Sequence, residues 1–175
     1  MKSRKNHIQK KLFPHSEQKK IDPKNKLNDL DGKEWIKFLK SWFVFDALKS
    51  DLDEEKAVTK DTENHPATFS PTMIADFIKF FTKKNMKVLD PFVGIGTTLV
   101  ACDRTGRKGI GVEINPKYLK IAKKRTTKKQ IIIKGNSINL SKLKLPKIDF
   151  CISSPPYWKM LHKIDVNQKI RLKKG

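Results

Sequence analysis

Residues 87–113 read KVLDPFVGIGTTLVACDRTGRKGIGVE, and their order decides the fold. The stretch opens with a short apolar run, Val88-Leu89, that stops at Asp90. A glycine-bearing loop follows, from Pro91 to Gly96, and its composition breaks the strand before a helix predicted from Thr97 to about Arg104, ending near Gly106. Lys108 to Val112 is a second apolar run, closed by Glu113. Strand, turn, helix and strand in that order describe two parallel strands joined by a right-handed crossover.

Moving outward, the same alternation continues. Asn115-Pro116 is a helix start, a capping side chain followed by proline at the first helical position, with Tyr118, Leu119, Ile121 and Ala122 as the inner face. Ile131 to Ile133 is a third strand, followed by Gly135-Asn136-Ser137. Ile148 to Ile152 is a fourth, and Ser153-Ser154-Pro155-Pro156-Tyr157 follows directly. Upstream, Ser70-Pro71 opens a helix whose Ile74, Phe77, Ile78 and Phe81 form one apolar stripe. Between 32 and 49, Trp35, Phe38, Leu39, Trp42, Phe43 and Phe45 mostly keep helical spacing. Residues 1–30 read as a basic flexible arm, 31–64 as a helix and an acidic linker, 65–158 as the α/β core, and 159–175 as a basic tail.

A length of 175 residues suits one such domain, and 37% apolar content is enough for one core. No apolar run approaches the ~20 residues of a membrane span, and the Lys-rich start lacks the apolar stretch of a secretory signal. Cys102 and Cys151 have neither metal nor disulfide spacing; each lies in an apolar run and is expected to be a buried thiol in a reducing cytoplasm. Cys151, inside a strand, reads as core. No metal site is expected. The formal charge is +21, and residues 117–175 carry seventeen basic side chains against two acidic ones. Such a field favours polyanions, nucleic acid first among them.

In open parallel sheets, ligands bind beyond the carboxyl ends of the strands. There the sequence places Asp90 with Gly94 and Gly96, then Glu113, then Ser154 to Tyr157. The glycines let backbone approach a ligand closely, and a carboxylate at Glu113 suits the hydroxyls of a ribose. A dinucleotide fingerprint would need glycine where Leu99 stands, and no Gly-Lys-Ser/Thr follows for a phosphate loop. Asp90 would be awkward beside a pyrophosphate but suits an ammonium. Adenosine at one end and an amino acid at the other describe S-adenosyl-L-methionine.

Four segments in order resemble the amino-methyltransferases that modify cytosine N4 or adenine N6 in DNA. His65 to Ser70 is similar to the family's cofactor lid, Leu89 to Thr98 to its glycine loop, Gly109 to Pro116 to its ribose-binding strand, and Ser154-Pro155-Pro156-Tyr157 to its catalytic tetrapeptide. The resemblance implies a Rossmann-like methyltransferase fold with a partial, about four-stranded, largely parallel sheet. It implies S-adenosyl-L-methionine held by Pro66, Ala67, Thr68, Phe69, Asp90, Pro91, Phe92, Gly94, Gly96, Thr97, Glu113, Asn136 and Ser137. The Ser154 side chain and the Pro155 carbonyl would accept the hydrogens of an exocyclic amino group, drawing its nitrogen toward a nucleophilic geometry. Pro156 would stiffen the turn, and Tyr157 would stack on an extruded base. Serine before Pro-Pro-Tyr tips the expected target toward cytosine.

The pattern departs from the family in two places. Asn136 stands where an aspartate often contacts adenine, and its amide oxygen is expected to serve instead. A full sheet of this class has about seven strands, against four here, so either a second chain completes the sheet or the reading frame is truncated, with truncation slightly favoured. The leading expectation is site-specific DNA methylation. RNA base methylation and a non-catalytic nucleic-acid-binding remnant are the alternatives. His65 and His162 read as loop and surface residues, and Trp158 as either pocket lining or packing.

Overall fold

The computed structural model describes residues 20–39 and 70–155, with positions 51, 53, 55 and 57 between them. The lid segment from Pro66 to Phe69, Pro156, Tyr157, Trp158, His65, His162, the start of the basic arm and the basic tail lie outside the described residues.

Among the described residues four strands form one sheet: β1 (Lys87–Asp90), β2 (Lys108–Glu113), β3 (Ile131–Lys134) and β4 (Phe150–Cys151). Their order is β3-β2-β1-β4 and every pairing is parallel. Leu89 sits opposite Ile110 on one side and Cys151 on the other. The helices are α1 (Gly32–Ile36), α2 (Pro71–Phe81), α3 (Thr97–Thr105) and α4 (Pro116–Arg125). The α/β, Rossmann-like architecture expected from the sequence is the one observed.

Local chemistry explains each boundary. Ser70 caps α2 by accepting from the Met73 amide at 3.3 Å, and Asn115 caps α4 by accepting from the Lys117 amide at 2.9 Å. Gly106 ends α3 in the left-handed region at φ 71°, which favours glycine. The two-residue period of the strands then divides the core. Ile74, Ala75, Ile78, Val88, Ala101 and Cys102 pack together on the helix side. On that side a Cβ at Gly111 would lie 2.7 Å from Val93 Cγ1, so the loop after β1 packs against bare β2 backbone. On the other side Leu89, Ile110 and Val112 are covered by Leu140, Leu143, Leu145 and Ile148. Those four come from the β3–β4 connection, which opens with a 3-10 segment, Ser137–Lys142, that the sequence reading did not anticipate.

Three expectations need correction. The acidic linker at 50–64 is helical at positions 51, 53, 55 and 57, and Asp51 and Glu55 are buried. Their four-residue spacing puts both on one helical face, where the rest of the fold supplies their partners. Within the arm, residues 20–30 are not free. Fully buried Asn28 donates to the Phe80 carbonyl at 2.6 Å and accepts from the Leu30 amide at 3.1 Å, docking the segment on α2. Trp35 and Phe38 extend the contact, with ring centroids 5.3 and 4.8 Å from Phe80. Finally, Cys151 is exposed rather than core, because β4 lies at the sheet's edge among the described residues. Cys102 is buried as expected, and burial with nearby Asp103 and Asp90 pushes its thiol up to about 12.

Candidate functional site

The strand order fixes where a ligand can sit. The chain runs from β1 outward through β2 to β3, then returns to place β4 on the far side of β1. The connections therefore diverge between β1 and β4, leaving a crevice at the carboxyl rim. Asp90 ends β1 at that point, and the residues after β4 meet it there.

The Asp90 carboxylate is 2% exposed and accepts three hydrogen bonds. Oδ1 takes the Phe92 amide at 3.0 Å and the Ser153 hydroxyl at 2.7 Å, while Oδ2 takes the Thr98 hydroxyl at 2.5 Å. Burial raises its pKa, and those three hydrogen bonds pull the other way. A direct contact between Asp90 and a ligand ammonium, expected from the sequence, is not what this geometry offers. The carboxylate is enclosed and engaged, and it acts by joining the glycine loop, α3 and the segment after β4.

The loop itself is tied down along its length. The Val93 amide donates to the Val112 carbonyl at 3.1 Å and the Gly94 amide to Glu113 Oε2 at 2.9 Å. Gly94 and Gly96 have φ of 53° and 93°, which a side chain would strain. Gly96 also faces α4, where an added Cβ would lie 3.0 Å from Ala122 Cβ. The Ser137 hydroxyl donates to the Pro91 carbonyl, and Arg125 donates to the Ile95 carbonyl at 3.0 Å. Thr97, expected on the cofactor, is turned inward instead, donating to Glu55 at 2.8 Å.

Glu113 ends β2 beside this loop. Its Oε1 accepts from the Asn115 amide at 2.7 Å and its Oε2 from Gly94, leaving one lone pair on each oxygen for hydroxyl donors. Asn136 ends the β3 turn, its Oδ1 accepting from the Ile138 amide at 3.0 Å. Ser154 is half-buried and Pro155 exposed just beyond Ser153. The structure thus brings Asp90, Pro91, Phe92, Gly94, Gly96, Glu113, Asn136, Ser137, Ser154 and Pro155 to one rim.

Several participants were not identified from sequence. Ser153 carries the link between the two halves of the crevice, yet the sequence signal fell on Ser154. Glu55 and Arg125 pair beneath the loop and are remote from it in the chain. Phe92, Ile114 and Ile138 stand 42%, 62% and 88% exposed at the ends of β1, β2 and after β3, an apolar fringe suited to a flat ring. A large apolar residue shortly after each strand end was the available clue. Among the described residues no cluster could hold a metal ion.

Comparison with known proteins identifies the family. The profile of the N6/N4 DNA methylase family matches residues 2–124, stopping short of Ser154. Type II methyltransferase M2.LlaDCHI of Lactococcus lactis subsp. cremoris is 45% identical over 76 residues, covering 41% of this chain and 28% of that protein. Type II methyltransferase M2.DpnII of Streptococcus pneumoniae is 43% identical over 70 residues, covering 40% and 26%. A solved structure of a putative DNA modification methylase from Thermus thermophilus, complexed with S-adenosyl-L-methionine, is 35% identical over 38% of this chain and 30% of that one, with a TM-score of 0.35. The matched stretches thus span little more than a quarter of the curated relatives' length. With the family profile covering most of its length and the glycine loop and Glu113 inside the match, the chain belongs to the N6/N4 DNA methylase family.

Proposed function

We propose that this chain provides the cofactor site and catalytic corner of a DNA methyltransferase. It transfers a methyl group from S-adenosyl-L-methionine to the exocyclic amino group of cytosine (N4), with adenine (N6) as the second target. The observation that carries the reading is the Asp90–Ser153 hydrogen bond of 2.7 Å, which holds the glycine loop and the Ser154-Pro155 segment at one crevice.

The residues fit the cofactor. Gly94 and Gly96 leave room for close approach, Glu113 keeps a lone pair on each oxygen for the ribose hydroxyls, and Phe92, Ile114 and Ile138 offer apolar contact to the adenine. Asn136 at the turn after β3 lies within the same rim. When bound, the sulfonium supplies an activated methyl, so no metal or covalent enzyme intermediate is required. The chain's own residues prepare the acceptor. Ser154 Oγ and the Pro155 carbonyl accept hydrogen bonds from the amino group, localising its lone pair as the transition state forms. Pro155 and Pro156 lock the turn against relaxation, and Tyr157 stacks on the flipped base. Pro66, Ala67, Thr68 and Phe69, similar to the family's lid segment, would contribute to holding the cofactor.

A chromosomal DNA substrate would put its site of action in the cytoplasm. Among the described residues no strand pairs with the outer side of β4, and there further strands, from a second chain, would complete the sheet. Support for that partner is the short two-residue ladder of β4 and its exposed Cys151.

Calorimetry with S-adenosyl-L-methionine tests the cofactor site, and nucleoside analysis of treated DNA tests the target. Ser154→Ala should retain cofactor binding and lose methyl transfer by at least ~100-fold, the scale of a lost transition-state acceptor. Asp90→Ala should weaken cofactor binding and destabilise the fold by at least ~2 kcal/mol, since three donors lose their acceptor. Absence of cofactor binding in the unmodified chain would overturn the assignment.

A further inference from the structure

Charge is distributed over this molecule in an uneven way that the catalytic crevice does not explain. Residues 20–113 carry sixteen Lys and Arg against fifteen Asp and Glu, close to neutrality. Residues 114–148 carry eleven Lys and Arg and no acidic residue at all. The second group is α4, β3 and the connection to β4, so just over half of the +21 excess falls at the β3 end of the sheet.

The side chains are presented outward. Lys117, Lys120, Lys123, Lys124, Lys128, Lys129, Lys134, Lys142, Lys144 and Lys147 are all exposed, and none is ion-paired among the described residues. Helix α4 turns Ala122 to the core and its lysines to solvent; Lys117, Lys120 and Lys124 follow helical spacing and form one stripe. The stripe is about 10 Å long at ~1.5 Å per residue, comparable with three base-pair steps at ~3.4 Å. In the β3–β4 connection, Leu143 and Leu145 face the sheet while Lys142 and Lys144 face out, carrying positive charge around the edge to the opposite face. Arg125 alone is committed inward, to Glu55 and the Ile95 carbonyl.

We propose that this lysine-covered β3 edge is a phosphate-backbone docking surface for duplex DNA, separate from the base-accepting corner after β4. The proposal rests on the methyltransferase reading for its choice of duplex DNA; the surface itself follows from the charge. Strands lie ~4.8 Å apart, so the β3 edge is about 14 Å across the sheet from the segment after β4. A duplex presented to the crevice therefore has flanking phosphates within reach of α4 and Lys134. Ammonium groups read no base identity, so the surface contributes affinity and orientation without sequence preference.

The test is fluorescence anisotropy of a short labelled duplex titrated with the full chain over a range of salt. Lys120→Glu, Lys123→Glu and Lys124→Glu combined should weaken binding at least ~10-fold near 0.1 M salt and flatten the salt dependence by about three counterions. The corresponding Gln triple should lie between this variant and the wild type. Lys26→Glu, Lys37→Glu and Lys108→Glu combined make the same change in net charge on exposed lysines elsewhere and should cost less than ~2-fold. Equal weakening by both sets would reduce the effect to bulk charge and overturn the proposal, as would no effect from the α4 set, or tighter binding of a single-stranded RNA of equal length. Calorimetry with S-adenosyl-L-methionine on the same variants separates the two ideas. Unchanged cofactor binding with lost DNA affinity supports the surface, whereas DNA binding without any cofactor binding sinks the methyltransferase reading alone.

Discussion

At Asp90 one carboxylate collects the Phe92 amide, the Thr98 hydroxyl and the Ser153 hydroxyl, so a strand, a loop, a helix and the segment after β4 share one acceptor. A buried acceptor serving several donors fixes geometry, because any displacement leaves a buried donor without a partner. Asp51 performs a similar service at the start of α2, accepting from the Ser70 hydroxyl at 2.6 Å and the Thr72 amide at 2.9 Å. Burial alone would raise its pKa, but the bonds from Ser70, Thr72 and Arg104 outweigh it and hold the carboxyl below the usual range. The folded-state pKa therefore lies under the unfolded value, and this contribution to stability is present above about pH 4 and lost as pH falls through the acid range. Asp51→Asn should lower stability near neutrality and make thermal stability less sensitive to acid. Parallel melting curves of the two proteins across acid pH would contradict this role.

Between elements, the decisive contact is the Glu55–Arg125 ion pair. Glu55 is 1% exposed, accepts from Thr97 and pairs with Arg125, which in turn donates to the Ile95 carbonyl. A helical segment early in the chain thereby braces the glycine loop from below. Truncating one partner of a buried pair strands the other, at a cost of about 3–5 kcal/mol. Glu55→Ala should be destabilising on that scale, and adding Arg125→Leu should recover part of the loss; urea unfolding of both single variants and the double variant gives the coupling. Strictly additive losses would show that the pair does not act as a unit. At the sheet's other side, exposure of Cys151 and burial of Cys102 predict one thiol reactive toward an aromatic disulfide in the native protein and two after denaturation. Partial desolvation of the sulfur and the Asp90 charge raise the Cys151 pKa, so its reaction should accelerate on going to alkaline pH. Two thiols reacting natively, or none, would contradict the edge position of β4.

For the molecule as a whole, a charge of +21 on 175 residues means self-repulsion in the folded state. Among the described residues none of the lysines in α4, β3 and the following connection is ion-paired, so screening should favour the compact form. Raising salt from low ionic strength to about 0.15 M, where the screening length is ~8 Å, should raise the melting temperature. The same change should weaken any association with DNA. A melting temperature that falls with salt would mean that ion pairs such as Arg104–Asp51, at 3.2 Å, dominate over the net charge.

Local order along the chain was legible because its signals are local. Apolar runs ending at Asp90, Glu113 and Gly135, proline after a capping residue at Ser70 and Asn115, and glycines at 94, 96 and 106 each act through backbone conformation within a few residues. They determined the four strands, three of the helices and the rim on which the candidate site lies. Partner choice was not legible. Thr97 turning inward to Glu55, Ser153 rather than Ser154 binding Asp90, and Asp51 and Glu55 buried within an apparent linker all depend on residues dozens of positions away. A charged side chain is spelled the same whether it faces water or a buried arginine; only packing, which decides what lies opposite it, separates the two.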